Sequence, residues 1–380
     1  MNKVLLGDVA VEHKETCKGS KDGYPIVGLE HLIPEEITLT AWDEGSENTF
    51  SKMFRKGNVL FGRRRAYLKK AAVAPFDGIC SGDITVIEAK PDRILPELLP
   101  FIIQNDDLFD FAVGKSAGSL SPRVKWEHLK NYEFKLPDME KQKELAELLW
   151  AMDNTKKSYQ KLIAATDELV KSQFMELFGD PVTNTQGREV RPFKDFMLDI
   201  RYGTSQPPTF NELGEFKFIR ATNIKAGRIT ENGMLRISAD EAAKIEKCRL
   251  NGNEIIIVRS GANTGDTCVV TDEYRDQYAG YDIIVTLNLE IANPVFFNEL
   301  MNTHYMQAII KPLTVRAAQP HINSEQVQNL PMLVVPLQEQ EQFATFVRQS
   351  DKSKFAALSC SNLNLSSALE NQEQTRLDGG

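Results

Sequence analysis

The residues best suited to chemistry form a run of basic side chains in the first quarter of the chain. Residues 63–70 read Arg-Arg-Arg-Ala-Tyr-Leu-Lys-Lys and follow a short strand-like segment at residues 59–61. Between Lys52 and Lys70 the sequence has eight basic residues and no Asp or Glu. Arginine binds phosphate oxygens and can donate to O6 and N7 of guanine together, so the segment predicts nucleic-acid contacts. The alternative is a solvated loop without a partner, which is the common role of a charge run.

The composition of the whole chain restricts the other function classes. The net charge is −8, which taken alone argues against nucleic-acid binding. The five cysteines are scattered, and no two have the spacing of a disulfide framework or a zinc site. The N-terminus is not expected to be a signal peptide, and no apolar run approaches the roughly 20 residues of a membrane helix. We therefore expect a cytoplasmic protein without membrane contact.

The sequence contains two copies of one pattern. Pro122-Arg123-Val124 recurs as Pro320-His321-Ile322, a shift of 198 positions, and the next apolar and polar residues keep their spacing. Upstream, residues 56–60 match residues 251–255, and Asp83-Ile84-Thr85-Val86 matches Asp282-Ile283-Ile284-Val285. A period near 200 residues is too long for a solenoid and predicts a duplicated domain. Two similar domains suggest a ligand with two parts.

The second copy has different side chains where the first copy has its basic run. Residues 259–264, Arg-Ser-Gly-Ala-Asn-Thr, occupy the corresponding loop and offer groups that both donate and accept hydrogen bonds. This difference is expected of two domains that recognise two DNA sequences, although drift after duplication would also produce it. The candidate DNA-binding residues are Arg63, Arg64, Arg65, Tyr67, Lys69, Lys70, Arg123 and Lys125 in the first copy, and Arg220, Asn223, Arg259, Ser260, Asn263, Thr264, Arg316, Gln319 and His321 in the second.

A long amphipathic helix is predicted after each copy. From Glu140 to Phe178 apolar residues step by threes, fours and sevens without Gly or Pro, and Gly179 and Pro181 then end the helix. A weaker pattern follows Pro336. Neither helix can bury its apolar stripe alone, so we expect an antiparallel pair, with two unrelated surface helices as the alternative. The predicted pairing residues are Leu145, Leu148, Met152, Tyr159, Leu162, Leu169, Phe343, Phe346, Val347, Leu358 and Leu365.

These patterns predict an α+β chain of two similar α/β domains joined by two long helices that pair as an antiparallel coiled coil. The expected bounds are 1–136 for the first domain, 137–180 for the first helix and 181–192 for a linker. The second domain is expected at 193–336, the second helix at 337–372 and a frayed tail at 373–380.

Motifs for catalysis are weak. Asp83, Glu88 and Lys90 have the spacing of a metal-nuclease site, but the second copy has Asn288 and Glu290 in place of the required Glu and Lys. The segment beginning at Asn293 lacks the second proline and the tyrosine of an amino-methyltransferase loop. The glycines at 261–267 lack the ending of a phosphate-binding loop and favour a hairpin turn. No metal or cofactor is predicted for this chain.

Taken together and in order, the motifs resemble the DNA specificity subunit of type I restriction-modification enzymes. The resemblance covers nearly the whole chain, and the residues that carry it are Leu6-Gly7-Asp8-Val9, Lys56 to Leu60, Gly62 to Leu68, Pro122-Arg123-Val124, Pro137 to Ala146, Leu177 to Pro181, Pro320-His321-Ile322, and Pro336-Leu337 with Glu339-Gln340.

The resemblance implies two target-recognition domains, each recognising one half of a split site in double-stranded DNA. It implies helices that set the spacer and dock two modification subunits, which ATP-dependent restriction subunits then join. S-adenosylmethionine, ATP and Mg²⁺ would belong to those partners. The second helix departs from the family pattern because its apolar seam is interrupted near Cys360. Two alternatives are a stand-alone DNA methyltransferase or nuclease, and a coiled-coil scaffold without DNA readout.

Overall fold

The described chain forms two compact units. The structure, a computed structural model, describes residues 2–45, 49–118, 121–314 and 320–354. The units divide between Ser158 and Tyr159, inside the helix Met139–Phe178, so each contains one globular part and a portion of this helix. No helix in the described ranges has the length and apolar character needed to cross a membrane.

The first unit is built on a four-stranded antiparallel sheet. Its strand order is Ala10–Glu12, Ile84–Ala89, Val59–Gly62 and Ala71–Val73, with Val59 opposite Ile87. A three-stranded sheet has the order Ile26–Val27, Gly78–Cys80 and Lys52–Phe54, and Asn2–Leu5 pairs with Glu133–Leu136. The central strands are buried on both faces, as their near-continuous apolar sequence requires.

Short helices cover one face of this sheet. They include Leu99–Ile103 and Asp106–Gly114, and Asn105 caps the second of these by accepting the Asp107 N–H at 2.8 Å. The side chains of Val59 and Phe61 pack in the hydrophobic core beside these helices, whereas that of Leu60 packs in a separate hydrophobic core of the first unit. The remaining helices are Leu6–Val9, Leu29–His31, Ala66–Leu68 and Trp126–Leu129.

The second unit repeats this arrangement. Its four-stranded sheet has the order Met197–Tyr202, Ile283–Leu287, Ile255–Ile257 and Thr267–Val269. The other strands pair as Leu235–Ile237, Phe216–Ile219 and Tyr278–Ala279, as Val190–Pro192 with Pro331–Leu333, and as Ile224–Lys225 with Arg228–Ile229. Its helices are Phe193–Phe196, Ala221–Asn223, Ala239–Lys244, Glu246–Cys248, Asp272–Tyr274, Pro294–Asn302, Met306–Ile310, Lys311–Thr314, Ser324–Gln328 and 337–354.

A buried glutamine marks the same position in each unit. Gln142 accepts the Leu95 N–H at 2.8 Å and donates to the Pro137 carbonyl. Gln340 accepts the Asn293 N–H at 2.8 Å and donates to the Val335 carbonyl. Each side chain thus ties the start of a long helix to the start of the helical layer. The duplication extends from the sheets into the long helices.

The end of the first long helix packs against the helix 337–354 within the second unit. The ring centroids of Phe174 and Phe178 both lie 5.5 Å from that of Phe343. Asp167, eleven residues before Phe178, pairs with Lys354, eleven residues after Phe343. The two segments therefore run antiparallel over these residues.

The packed face differs from the predicted one. Phe343 and Val347 are buried and Phe346 packs beside them, but on the first helix the buried apolar residues facing this core are Val170, Phe174 and Phe178. Leu169 is about half exposed, at 52%, so assigning it to the packed face was wrong; Leu148 and Leu162 are equally exposed, but the part of the second helix after Lys354 lies outside the described residues and their pairing stays a prediction. A predicted seam shifted by one position, from Val170 to Leu169, rotates by about 100° around the helix. Leu145 packs on the first core; Met152 and Tyr159 are partly buried, and Leu358 and Leu365 lie outside the described residues.

Candidate nucleic-acid interface

The predicted basic segment is a loop that joins two paired strands of the first unit. We call residues 63–70 the first loop. The Arg65 N–H donates to the Pro122 carbonyl at 2.8 Å, and the Val124 N–H donates to the Arg63 carbonyl at 2.9 Å. The repeated Pro-x-Val segment therefore holds the loop in place through backbone bonds.

The second unit contains a loop with the same backbone, residues 259–266, which we call the second loop. The Gly261 N–H donates to the Pro320 carbonyl at 3.3 Å, and the Ile322 N–H donates to the Arg259 carbonyl at 2.9 Å. In both loops the third and seventh residues are left-handed: φ is 54° at Arg65 and 50° at Lys69, and 95° at Gly261 and 91° at Gly265. The frame is shared while the side chains differ.

This geometry corrects the alignment of the two copies at the strand before each loop. The sequence matched Gly57 with Gly252, but the left-handed residues are Gly57 (φ 88°) and Asn253 (φ 69°). Asn58 accepts the Arg55 N–H and Glu254 accepts the Asn251 N–H, each at 2.8 Å, so these two residues are equivalent. The true correspondence lies one residue later, which makes Arg259 the counterpart of Arg63.

Asp83 holds two arginines beside the first loop. Arg123 donates to its carboxylate at 2.7 and 3.3 Å, and Arg64 donates to it at 3.4 Å. The hydrogen bond from Arg123 holds the pKa of Asp83 below its usual range, so the carboxylate stays ionised. A cleft of about 630 Å³ opens beside Arg63, Asp83 and Arg123.

The other predicted residues of this region differ in whether their side chains form a hydrogen bond or an ion pair. Arg65, Tyr67 and Lys125 are exposed, and in the described ranges their side chains have no hydrogen-bond partner. Lys69 pairs with Asp106, and Lys70 donates to the Leu29 carbonyl at 2.7 Å. The absence of acids from residues 52–70 therefore overstated the positive charge, because acids from other segments fold against the run.

Arg259 of the second loop lies between two aromatic rings. Its guanidinium carbon is 4.5 Å from the ring centroid of Tyr202 and 4.4 Å from that of Tyr281. Its Nε donates to Nε2 of His321 at 3.0 Å. The Asp282 carboxylate accepts the Arg259 backbone N–H at 3.0 Å, and burial raises the pKa of Asp282 to about 6.

Comparison with known proteins shows which family this chain belongs to. Residues 3–165 and 189–359 match the model of the type I restriction modification DNA specificity domain. The chain belongs to this family. Its specificity domains are the two copies that the sequence and the two units display.

Two known proteins are similar to this specificity-domain chain. The specificity subunit of the type I restriction enzyme EcoDI from Escherichia coli is 26% identical over 179 residues, which are 46% of this chain and 36% of that protein. The matched part thus spans about a third of the relative's length. The S subunit of a type I restriction-modification system from M. genitalium has a crystal structure with a TM-score of 0.59 at 11% identity, covering 96% of this chain and 93% of that one. This second likeness concerns the fold alone.

Two predicted DNA contacts in the second specificity domain are structural instead. Asn223 is fully buried; it accepts the Arg220 N–H and donates to the carbonyls of Thr230 and Asn232. Thr264, 1% exposed, donates to the Gly261 and Pro320 carbonyls. Short polar side chains often close turns on their own backbone, which a loop sequence alone does not distinguish from ligand binding.

The remaining predicted residues of the second domain lie around the second loop or outside the described residues. Arg220 donates to the Gly233 carbonyl at 2.8 Å, and Asn263 donates to the Ala221 carbonyl at 3.3 Å. Ser260 and His321 form a backbone bridge. Arg316 and Gln319 lie outside the described residues.

Sequence reasoning missed the partners that orient the arginines. Tyr202 and Tyr281 were not predicted, and Asp83 was considered only as part of a metal-nuclease spacing. In the structure Glu88 instead contacts His13, and Lys90 donates to the Gly7 carbonyl. The duplicated Asp-Ile pair at 83 and 282 was the one available signal, because both acids follow a turn that enters a central strand.

Proposed function

We propose that this chain is the non-catalytic DNA specificity subunit of a type I restriction-modification complex, each unit recognising one half of a bipartite target in double-stranded DNA. The observation that carries the proposal is the pair of loops with one backbone and two sets of side chains. A shared frame gives both halves the same approach to a duplex, and different tips give them different sequences.

The charges of the two loops predict different contributions to binding. The first loop has five basic residues, of which Arg64 pairs with Asp83 and Lys69 with Asp106, whereas the second loop has one basic residue, Arg259, and one acid, Asp266. Each phosphate contact adds about 0.9 to the salt dependence of binding. The first unit should therefore supply most of the salt dependence, and the second should depend on base hydrogen bonds.

The long helices fit the role of spacer and docking surface. The antiparallel contacts of Phe178 with Phe343 and of Asp167 with Lys354 support the pairing of the two helices over these residues. The half-exposed Leu162 and Leu169 offer apolar surface to a partner. We assign this surface to modification subunits, of which the complex holds two, with ATP-dependent restriction subunits joining them. S-adenosylmethionine, ATP and Mg²⁺ are bound by those partners.

Domain exchange tests the proposal most directly. Residues 1–136 are replaced by the corresponding part of another family member in the full chain, and the methylated sites in host DNA are mapped with and without the chain. We expect one half of the target to change and the other half and its spacer to remain. An unchanged target would contradict bipartite recognition, and turnover by the purified chain alone would contradict a non-catalytic role.

Alanine substitution of Arg63, Arg64 and Arg65 together tests the role of the first loop. Binding of the assembled complex to a panel of single-base variants of the mapped site is measured by titration. Each arginine that reads a guanine should contribute about 1–3 kcal/mol at one base pair, while phosphate contacts weaken all sequences alike. Arg93→Ala, an exposed arginine outside the loop, is the matched control. Full modification by the triple variant would favour a scaffold without DNA readout.

A further inference from the structure

The guanidinium of Arg259 is held in a fixed plane. It lies between the rings of Tyr202 and Tyr281, at 4.5 and 4.4 Å from their centroids, and both tyrosines are partly exposed, at 38% and 42%. Stacking of this kind restricts rotation of the planar fork without consuming its N–H groups. Ordering such a long side chain in advance removes part of the entropic cost of binding.

His321 fixes the remaining freedom of this guanidinium. The Nε–H of Arg259 points to Nε2 of His321 at 3.0 Å. Arginine always carries its protons, so Nε2 of His321 must accept, and the histidine must be neutral with its proton on Nδ1. A protonated His321 would place an N–H and a second positive charge against Arg259 and would break this contact.

The donors that remain on Arg259 match one base. In the described part of the chain, neither terminal nitrogen of Arg259 has a hydrogen-bond acceptor; the N–H groups of Arg259 that donate are the backbone N–H and Nε. Two parallel N–H groups on a planar fork match O6 and N7 of guanine in the major groove, which is the commonest specific arginine contact. The arrangement leaves the recognising edge open while both faces and the stem are held.

We propose that Arg259 recognises a guanine in the half-site bound by the second unit, and that neutral His321 is the positioning residue for this contact. The inference rests on the proposed function and specifies its chemistry. It names one base, one reading residue and one condition, the absence of a proton on Nε2 of His321.

The first unit provides an internal control. Arg63 occupies the position of Arg259, but Arg123 occupies that of His321, so no histidine faces the first arginine. The groups facing Arg259 and His321 in the second unit are Tyr202, Tyr281 and Asp282. Asp282 also lies beside Arg259, and burial raises the pKa of Asp282 to about 6. A separate variant must distinguish it from His321.

The experiment uses the full chain in complex with its modification subunits and a random duplex library, selected at pH 7.5 and at pH 5.5. Exchange of residues 193–336 identifies the half-site that belongs to the second unit. We expect one guanine in that half to be preferred at pH 7.5, and Arg259→Lys to lower its preference roughly ten- to hundredfold while the first half is retained. Tyr281→Phe, which keeps the ring, should retain the preference, and Tyr281→Leu should lose it.

The pH profile tests His321. A proton on Nε2 of His321 would break its contact with Arg259, so the preference for this guanine should be weaker at pH 5.5 than at pH 7.5 while preferences in the first half-site persist. His321→Gln keeps a neutral acceptor and should retain the preference at both pH values. Asp282→Asn should leave the wild-type pH profile unchanged.

Each result separates this inference from the proposed function. Absence of sequence preference in both halves for the wild type overturns the proposed function and this inference with it. Preference in both halves that Arg259→Lys leaves intact overturns the inference alone. A pH effect that survives in His321→Gln and disappears in Asp282→Asn overturns the positioning role of His321. Recognition of the first half-site in every variant reports that the chain is folded.

Discussion

In the first loop the guanidinium groups of Arg64 and Arg123 lie against the carboxylate of Asp83, whereas in the second loop Arg259 lies between two tyrosine rings. The corresponding acid of the second unit, Asp282, is turned inward to a backbone N–H. The two loops share one backbone conformation, but the arginines are positioned by ion pairs in the first unit and by aromatic stacking in the second. The hydrogen bonds that define the shared loop conformation join backbone groups only. The loop side chains could therefore change between the two units without loss of these bonds.

The supporting strand shows the largest energetic difference between the two units. At equivalent positions stand Asn58, which is neutral, and Glu254, which is 1% exposed and paired with Arg201 at 2.7 and 2.9 Å. Arg201→Gln leaves a buried carboxylate without its cation and should lower the unfolding free energy of the second unit by about 3–5 kcal/mol. This loss is measured by urea unfolding, monitored through hydrogen exchange of the backbone amides of the strand Ile255–Ile257.

Two further variants make that test specific. Adding Glu254→Gln to Arg201→Gln removes the orphaned charge and should recover most of the loss. Arg191→Gln breaks an exposed pair with Glu189 and should cost less than about 1 kcal/mol. Equal losses for Arg191→Gln and Arg201→Gln would mean that the buried pair contributes no more than a surface pair.

Asp282 should show the opposite pH dependence from Asp83. Its pKa is raised to about 6, so the stability associated with its protonated form is lost as pH rises from about 4 through 6. A shift from 3.8 to about 6 corresponds to about 3 kcal/mol at pH 8, and to about half of that at pH 5. Asp282→Asn keeps the acceptor for Arg259 and removes the charge.

The pH-dependent part of the Asp282→Asn effect is the decisive quantity, because the new amide N–H must also find a partner. Relative to the wild type, the variant should gain about 1.5 kcal/mol between pH 5 and pH 8. Urea unfolding of the second unit at both pH values measures this change. A stability difference between the variant and the wild type that does not change with pH would show that burial does not raise the pKa of Asp282.

How much of this could be predicted from the sequence depended on whether the signal was local. The duplication, the long helix and the loop positions follow from repeated motifs and periodicity. The one-residue error at Gly57 arose because glycine was matched with glycine, while the left-handed residue is Asn253, which tolerates that conformation. The register of a strand is set by which of its residues face the core, and this is known only once the core is assembled.

The charge partners could not be predicted for a related reason. Asp83 and Tyr281 lie just before the strands Ile84–Ala89 and Ile283–Leu287, which pair with the strands that precede the loops, so their proximity to the arginines depends on sheet pairing rather than on spacing in the chain. The same applies to Asn223 and Thr264, whose polar groups are consumed by nearby carbonyls. Leu169 was assigned to the packed face because it follows Leu162 by seven residues, although the packed face includes Val170.

Asp83→Asn should have a smaller effect on stability than Asp282→Asn, and of opposite sign. The pKa of Asp83 is lowered, so its stabilising contribution is present above about pH 4 and is lost as pH falls below that value. Because its partners are partly exposed, we expect a loss of only about 0.5–1 kcal/mol at pH 7. Arg64 and Arg123 would be released toward phosphates, raising the salt dependence of non-specific DNA binding by up to about 2.

Unfolding of the first unit and binding to a random duplex at several salt concentrations test both parts of the Asp83 prediction. Asp92→Asn, at an exposed pair with Arg93, is the matched control and should change neither quantity. Unchanged salt dependence in Asp83→Asn would mean that Asp83 does not restrain the two arginines.

Substitutions at the left-handed positions test the shared loop backbone itself. A Cβ at Gly261 would meet nothing within 4 Å, so Gly261→Ala should cost only the conformational strain of about 1 kcal/mol. Gly265→Ala should cost more, because its Cβ would lie 2.7 Å from Cγ2 of Ile310. At Arg65, the first-loop equivalent of Gly261, Arg65→Gly relieves the strain and should stabilise the first unit by up to about 1 kcal/mol. Urea unfolding of the three variants checks this order, and a loss of stability in Arg65→Gly would show that the two loops do not share one backbone.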